Sequence, residues 1–239
     1  MSHKLLWLVL AGGEGSRVKH LLKGDEPTKP MINISGKRLI EIALEEAGKV
    51  DCETAILTYP SELYESLDRL IEQRGVKVLK QEAQHRKLPH LLQLPHIMRS
   101  QYRSPDGEYL ASFDSILTYA CDIVYDGVDF RAMVDFHNSN LASSDERQLT
   151  ILSKRGAHGR AYNFKIENGR LASVKWFSSQ QAEGYAPYVS PGVYMFSRAV
   201  LKNPWGLLLG LNYNKVLIFE TEGSWKDVGN PQVLKTMRQ

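Results

Sequence analysis

Short apolar blocks alternate with longer amphipathic ones along the first 147 residues. Leu5–Leu10 is an unbroken apolar run closed by Ala11-Gly12-Gly13, the pattern of a strand covered on both faces. Thr54–Thr58, Val76–Leu79 and Ser115–Tyr119 are shorter runs of the same kind. Between them, Leu39–Ala47 and Phe130–His137 carry apolar residues at helical spacing. So does Leu63–Arg74, with Leu63, Leu67, Leu70 and Ile71 on one face and Gly75 placed as a C-cap. This alternation predicts right-handed crossovers and an α/β fold with an open, mostly parallel sheet flanked by helices. Beyond residue 147 the pattern changes. Gln148–Ser153, Tyr162–Ile166 and Leu171–Trp176 read as strands joined by turns, with Asn168-Gly169 a hairpin signal. These predict antiparallel strands added to the same sheet. Lys202–Leu211 reads as a helix broken by Pro204 and glycines, with Trp205 and Leu207–Leu209 serving either core or an oligomer interface. The expectation is one domain over residues 1–239, in two halves, 1–147 and 148–239.

Composition narrows the function classes. With 239 residues, 43% hydrophobic and 24% charged, the chain is of ordinary globular make-up. A net charge of +3 is too small to suggest a nucleic-acid or membrane-surface partner. The apolar run from Leu5 to Gly13 is about half a membrane span and lacks a signal-peptide cleavage pattern. Two cysteines, Cys52 and Cys121, stand in apolar stretches, which fits a reducing compartment. A cytoplasmic protein with no membrane and no nucleic-acid partner is the resulting expectation.

The candidate chemistry begins where the first strand ends. Leu10-Ala11-Gly12-Gly13-Glu14-Gly15-Ser16-Arg17 puts glycines directly after a buried strand, where backbone N–H groups can approach a phosphate. Arg17 and Lys29 add cations suited to the rest of a polyphosphate. A dinucleotide fingerprint is excluded, because Val18 stands where its third glycine or alanine belongs. A P-loop is excluded as well. Gly36-Lys37 is followed by Arg38, and Met31 occupies the position of its first glycine. Taken alone, the glycines read first as a tight turn and Asp122 as a cap or turn residue; Lys29 also fits a solvated lysine and Asp227 a turn.

Several motifs in order resemble the sugar-1-phosphate nucleotidyltransferases, also called nucleotide-sugar pyrophosphorylases. They are the segment Leu10–Arg17, then Lys29-Pro30-Met31, then Ser35-Gly36-Lys37-Arg38-Leu39-Ile40-Glu41. Cys121-Asp122-Ile123 with Asp129-Phe130 resembles the family's metal-binding aspartate segment. Ser190-Pro191-Gly192-Val193-Tyr194-Met195-Phe196 resembles its acceptor-side strand, and Trp225-Lys226-Asp227-Val228-Gly229-Asn230-Pro231 its closing aspartate motif. The resemblance implies a Rossmann-like sheet of the nucleotide-diphospho-sugar transferase type. It implies an enzyme joining a nucleoside triphosphate to a phosphorylated acceptor, a sugar 1-phosphate, with release of pyrophosphate. Residues 1–147 would then bind the nucleotide and 148–239 the acceptor. Arg17 would hold the departing pyrophosphate, and Lys29 would neutralise the α-phosphate and the attacking oxygen. Asp122 and Asp227 would share Mg²⁺. Leu10, Ala11, Gly12, Gly13, Gly15 and Ser16 would form the nucleotide loop, with Gln81 a second reader of the base. Gly192 would lie on the acceptor side. A homo-oligomer is left open.

The chain departs from the family pattern in two places. Arg86-Lys87-Leu88-Pro89-His90 stands where the family usually begins a small-residue helix. Val174-Lys175-Trp176-Phe177 stands where the family's Glu-Lys-Pro lysine would hold the acceptor phosphate. Lys175 and Arg160 are the candidate replacements, since a phosphate acceptor still needs a cation. The departure makes a non-sugar acceptor, such as a phosphorylated amino alcohol, an alternative. A catalytically silent nucleotide-binding subunit is another, opposed by the presence of all four charged site residues. His85, His90 and His96, spaced five and six apart, do not have metal-site spacing on a helix.

Overall fold

Strand β1 (Leu5–Leu10) explains the architecture. All six of its residues are buried, and they alternate between two cores. Leu5, Trp7 and Val9 pack on one side with Ile40, Ala43, Phe130 and Met133. Leu6, Leu8 and Leu10 pack on the other with Leu110, Phe113 and Phe196. A strand buried on both faces must have covering layers on both sides, hence its unbroken apolar run. The computed structural model describes residues 3–13, 15–58, 71–72, 74–80, 94, 104–141, 147–155, 161–167, 170–177, 188–202 and 215–239. For 155, 161–167, 170–177, 201–202 and 215 it describes the backbone alone.

The first half is a parallel sheet. β1 lies between β4 (Glu53–Thr58) and β6 (Ser115–Ala120), parallel to both, and β4 pairs in parallel with β5 (Lys77–Lys80). Helices α1 (Leu39–Ala47), α2 (Pro105–Ala111) and α3 (Phe130–Asn140) accompany it. α1 has the predicted bounds. It is entered through a small hairpin of β2 (Asn33–Ile34) and β3 (Lys37–Arg38), whose turn residues Ser35 and Gly36 both take positive φ. Glu41 then accepts from the Arg38 N–H at 2.7 Å, closing the helix start. α3 runs one turn further than the apolar spacing indicated. Its His137 is fully buried, with Nδ1 2.8 Å from the Thr150 hydroxyl and Nε2 3.3 Å from that of Ser115.

The second half extends the same sheet, as expected. Its strands are β8 (Gln148–Arg155), β9 (Ala161–Glu167), β10 (Arg170–Phe177), β11 (Tyr188–Ser190) and β12 (Tyr194–Ser197). The order across the sheet is β10-β9-β11-β8-β12-β6-β1-β4-β5. β12 joins the halves, antiparallel to β6 on one side and to β8 on the other. β9 and β10 pair antiparallel, as the hairpin signal predicted, though Asn168 and Gly169 themselves lie outside the described residues. Two features differ from expectation. β13 (Lys215–Glu220), not foreseen, pairs with β8 in parallel, so the added strands are not all antiparallel. The segment read as one acceptor-side strand is divided into β11 and β12 at Pro191–Gly192, with Gly192 at φ +101. Helix α4 (Arg198–Lys202) follows β12, and residues 203–214, including the predicted broken helix, lie outside the described residues.

A two-stranded antiparallel ribbon stands apart from the main sheet. β7 (Ile123–Asp126) pairs with β14 (Ser224–Asp227), and helix α5 (Pro231–Met237) follows directly. Among the described residues no helix is long and apolar enough to cross a membrane.

Candidate active site

The site forms at the carboxyl ends of the central parallel strands, where open α/β sheets leave a crevice. β1 ends at Leu10, whose carbonyl accepts from the Cys121 N–H at 3.2 Å, and the Ala11 N–H donates to Leu57 of β4 at 2.8 Å. The glycine loop therefore starts between two neighbouring strand ends. Leu10, Ala11 and Gly12 are buried, while Gly13, Ser16 and Arg17 are exposed and Gly15 half-buried. Gly15 has φ +62, and a Cβ there would stand 3.1 Å from Cβ of Lys29, so the loop and the lysine touch at this glycine. Gly13 differs: a Cβ there would meet nothing within 4 Å among the described residues.

Lys29 opens a single 3-10 turn, Lys29–Met31, in which the Ile32 N–H returns to the Lys29 carbonyl at 3.1 Å. Pro30 and Met31 are buried, which fixes the turn from beneath and directs the lysine into the crevice. Its side chain is 8% exposed and its ammonium pairs with Asp122. Asp122 stands between β6 and β7. Asp227 ends β14, opposite Ile123 in the ribbon, and the Val228 N–H donates to the Asp122 carbonyl at 2.9 Å. The ribbon thus brings together two aspartates that are remote in sequence. Arg17 Nη1 lies 3.8 Å from Asp227 Oδ2. All of this closes around Gly229, whose N–H donates to Asp227 Oδ1 at 2.7 Å. A Cβ on Gly229 would collide with the Lys29 ammonium and come within 2.8 Å of Asp227 Oδ1 and 2.9 Å of Arg17 Nη2.

Arg17, Lys29, Asp122 and Asp227 therefore form one charge quartet, two cations from the glycine-loop side and two carboxylates from the ribbon side. Burial pushes the Asp227 carboxyl above its usual range, with the Asp122 charge adding to it; Lys29, Arg17 and the Gly229 N–H oppose the shift. Cys121, directly before Asp122, is buried, and burial raises its thiol far above the ordinary thiol range. It is a packing residue and not a nucleophile.

The donor set fits a magnesium ion. Among the described residues no three His, Cys, Asp or Glu side chains form a metal cage. Two carboxylates, 23% and 18% exposed, leave most of an octahedral shell to water and phosphate oxygens, as Mg²⁺ prefers.

Of the predicted site residues, the structure brings together Arg17, Lys29, Asp122 and Asp227 beside the loop Leu10–Ser16. Gly192 sits at the sheet junction between β11 and β12, its N–H 3.2 Å from the Ser190 hydroxyl. Lys175 lies on the edge strand β10, opposite Asn163, with only its backbone described. Glu14, Gln81, Arg160 and the three histidines at 85, 90 and 96 lie outside the described residues. Sequence reasoning quoted Gly229 only as part of a motif; its spacing two residues after Asp227 was the available signal for a turn that caps the carboxylate.

Residues 7–160 match the model of the MobA-like NTP transferase domain. The chain belongs to this family. The comparisons also agree with the resemblance to sugar-1-phosphate nucleotidyltransferases. A glucose-1-phosphate adenylyltransferase from Bacillus thuringiensis (strain Al Hakam) is 26% identical, the alignment covering 97% of this chain and 66% of that protein. A second, from Mycoplasma mobile, is also 26% identical, over 95% and 64%. The chain thus spans just under two thirds of the length of these relatives. Among solved structures, a Bacillus anthracis protein assigned as a glucose-1-phosphate thymidylyltransferase superposes with a TM-score of 0.70 at 16% identity, covering 98% of this chain and 94% of that one. A CTP:phosphocholine cytidylyltransferase from Streptococcus pneumoniae superposes at 0.61 and 15% identity, covering 98% of each chain. These likenesses show the fold, a mostly parallel, helix-flanked sheet with added strands, to be shared with those proteins.

Proposed function

We propose that this protein is a Mg²⁺-dependent nucleotidyltransferase that joins a nucleoside triphosphate to a sugar 1-phosphate, releasing pyrophosphate, in the cytoplasm. The observation that carries the reading is the quartet around Gly229, at the crevice end of the parallel strands and directly beside the glycine loop. In-line attack on the α-phosphorus brings two anions together, so catalysis here is positioning and charge neutralisation. Backbone N–H groups of the loop from Leu10 to Ser16 face the triphosphate. Arg17, exposed at the loop's end, takes the departing pyrophosphate oxygens. Lys29, held in a rigid turn, reaches the α-phosphate and the incoming oxygen. Asp122 and Asp227 would hold the metal, which when bound supplies charge neutralisation at the phosphates. The half 1–147 binds the triphosphate and 148–239 the acceptor, with Gln81 reading the base and Gly192, Lys175 and Arg160 on the acceptor side.

A phosphorylated amino alcohol is a second acceptor class, favoured by Phe177 standing where the family's phosphate-holding lysine belongs. Phosphocholine is the acceptor in the name of one protein sharing the fold. A pyrophosphate-release screen tests both readings. Each of the common nucleoside triphosphates is paired with hexose 1-phosphates and with phosphocholine, with Mg²⁺ and with a chelator. Mg²⁺-dependent release with a hexose 1-phosphate supports the first reading, and with phosphocholine alone the second. No release with any pair rejects both.

A further inference from the structure

Glu26 is buried to 2% of its surface, an unusual place for a carboxylate outside the charge quartet. Its Oε2 accepts from the Lys23 N–H at 2.9 Å and its Oε1 from the Asn33 N–H at 2.8 Å. One side chain thereby ties together the two ends of the segment 23–33, and Lys29 lies inside that ring. The remaining capacity of both oxygens is taken by the Arg238 guanidinium, whose Nη1 also donates to the Leu21 carbonyl at 2.7 Å. Arg238 follows α5 directly. α5 starts just after Asn230, whose carboxamide caps it by accepting from the Gln232 N–H at 3.0 Å, three residues beyond Asp227. Leu234 of α5 is fully buried in the core shared with Val18, Met31 and Ile32. The helix is thus a short rigid strut about 10 Å long, with the aspartate turn at one end and the lysine's loop at the other.

We propose that Glu26 and Arg238 are positioning residues that set the placement of Lys29 against Asp122 and Asp227. Their hydrogen bonds go to Lys23, Asn33, Leu21 and each other, outside the quartet. They act by coupling the segment that carries the catalytic lysine to the helix that follows the metal-side aspartate: Arg238 Nη2 reaches both carboxylate oxygens of Glu26 while Nη1 holds the Leu21 carbonyl. The inference deepens the nucleotidyltransferase reading and rests on it for its consequence in catalysis. A shift of about 1 Å at a reacting group, caused by a change elsewhere, can cost about 100-fold in turnover. A clasp between the two sides of the site is a means of preventing such a shift.

The test uses the full chain labelled with ¹³C and ¹⁵N in lysine. The Lys29 side-chain signal is assigned by its loss in Lys29→Arg. In the wild type this signal is expected to stand apart from those of solvated lysines, because the ammonium is buried and ion-paired. Arg238→Ala and Glu26→Gln are expected to move it toward the solvated cluster, and Arg238→Lys to restore it in part. Magnesium pyrophosphate, the product common to every reaction of this class, is titrated in parallel by calorimetry, and its affinity is expected to fall about tenfold in Arg238→Ala. A Lys29 signal unmoved in variants that merely melt at lower temperature overturns the proposal, since a purely stabilising clasp predicts that result. If Arg238→Ala does not fold, Glu26→Gln, nearly the same size, decides the question in the same way. If the wild type fails to bind magnesium pyrophosphate, the functional reading falls, while the Lys29 signal still decides whether the clasp positions the lysine.

Discussion

The glycine-loop side of the site and the aspartate-ribbon side deliver equal charge by opposite means. On the loop side, Gly15, Arg17 and Lys29 come from one stretch of chain, and local turns place them: the Val18 N–H returns to Gly15 at 2.9 Å and the Ile32 N–H to Lys29 at 3.1 Å. On the ribbon side, Asp122 and Asp227 meet only because β7 and β14 pair in one register. A slip of one residue there would turn every side chain of the ribbon to its other face. A site assembled in this way has a locally determined half, robust to distant change, and a half that depends on long-range pairing. The two halves are coupled at Gly229 and again through Arg238.

The largest effects should come from removing one member of each side. Asp122→Asn leaves the ribbon pairing intact and is expected to lower Mg²⁺-dependent pyrophosphate release by about 1000-fold, since a bound metal contributes several kcal/mol to the transition state. Lys29→Ala should cost about 100-fold or more in turnover, the usual effect of deleting one preorganised donor. Near-normal turnover in either variant removes that residue from the chemistry. Gly229→Ala attacks the point where the halves meet. Its methyl would occupy the space of the Lys29 ammonium and of the Asp227 carboxylate, so turnover is expected to fall about 10- to 100-fold with the ribbon still formed. Retained activity would mean that the quartet rearranges freely.

Gly13 and Gly15 sharpen the contrast within the loop. Gly13→Val should weaken triphosphate binding while leaving the melting temperature nearly unchanged, because a Cβ there meets nothing within 4 Å among the described residues. Gly15→Ala should instead cost about 1 kcal/mol of stability from its positive φ. Equal triphosphate affinity in Gly13→Val and wild type, by calorimetry, would show that the loop is only a turn. On the acceptor side, replacing Lys175 and Arg160 together by Ala is expected to raise the acceptor KM much more than the triphosphate KM. Normal acceptor use would assign the phosphate to another part of the chain.

The smallest effect concerns pH. Burial alone would raise the Glu26 carboxyl, but the Asn33 and Lys23 N–H groups and Arg238 outweigh it and hold the carboxyl below its usual range. A depressed carboxylate stabilises the fold above its unfolded pKa of about 4.3, and the benefit is lost as pH falls through the lower folded value. The stability gap between wild type and Glu26→Gln, followed by urea unfolding, should therefore be full at neutral pH and shrink below about pH 4. A gap independent of pH would detach Glu26 from its ionic role.

Much of the parallel sheet was legible in the sequence because its causes are local. β1 is read from six consecutive apolar residues, α1 from its period, and the glycine loop from residues that only a tight approach requires. The resemblance supplied Asp122 and Asp227 as a pair, yet nothing in their local sequence indicated a ribbon. Val124, Tyr125 and Trp225 are only half-buried there, so neither strand has the apolar run of a core strand. The same holds for the clasp. Glu26 stands between Asp25 and Pro27, and nothing beside it or beside Arg238 in the sequence marks a buried ion pair.

The sequence by itself determined which segments become core strands, where the glycine loop lies, and the cations beside it, because steric and periodic preferences act over a few residues. Only the tertiary structure decided that β13 runs parallel to β8, that Asp227 lies beside Asp122, that Gly229 is the meeting point of four charges, and that Arg238 reaches Glu26. Those outcomes depend on the register and packing of segments up to 212 residues apart. They follow from closing long loops and burying shared surfaces, to which no single stretch of sequence bears witness.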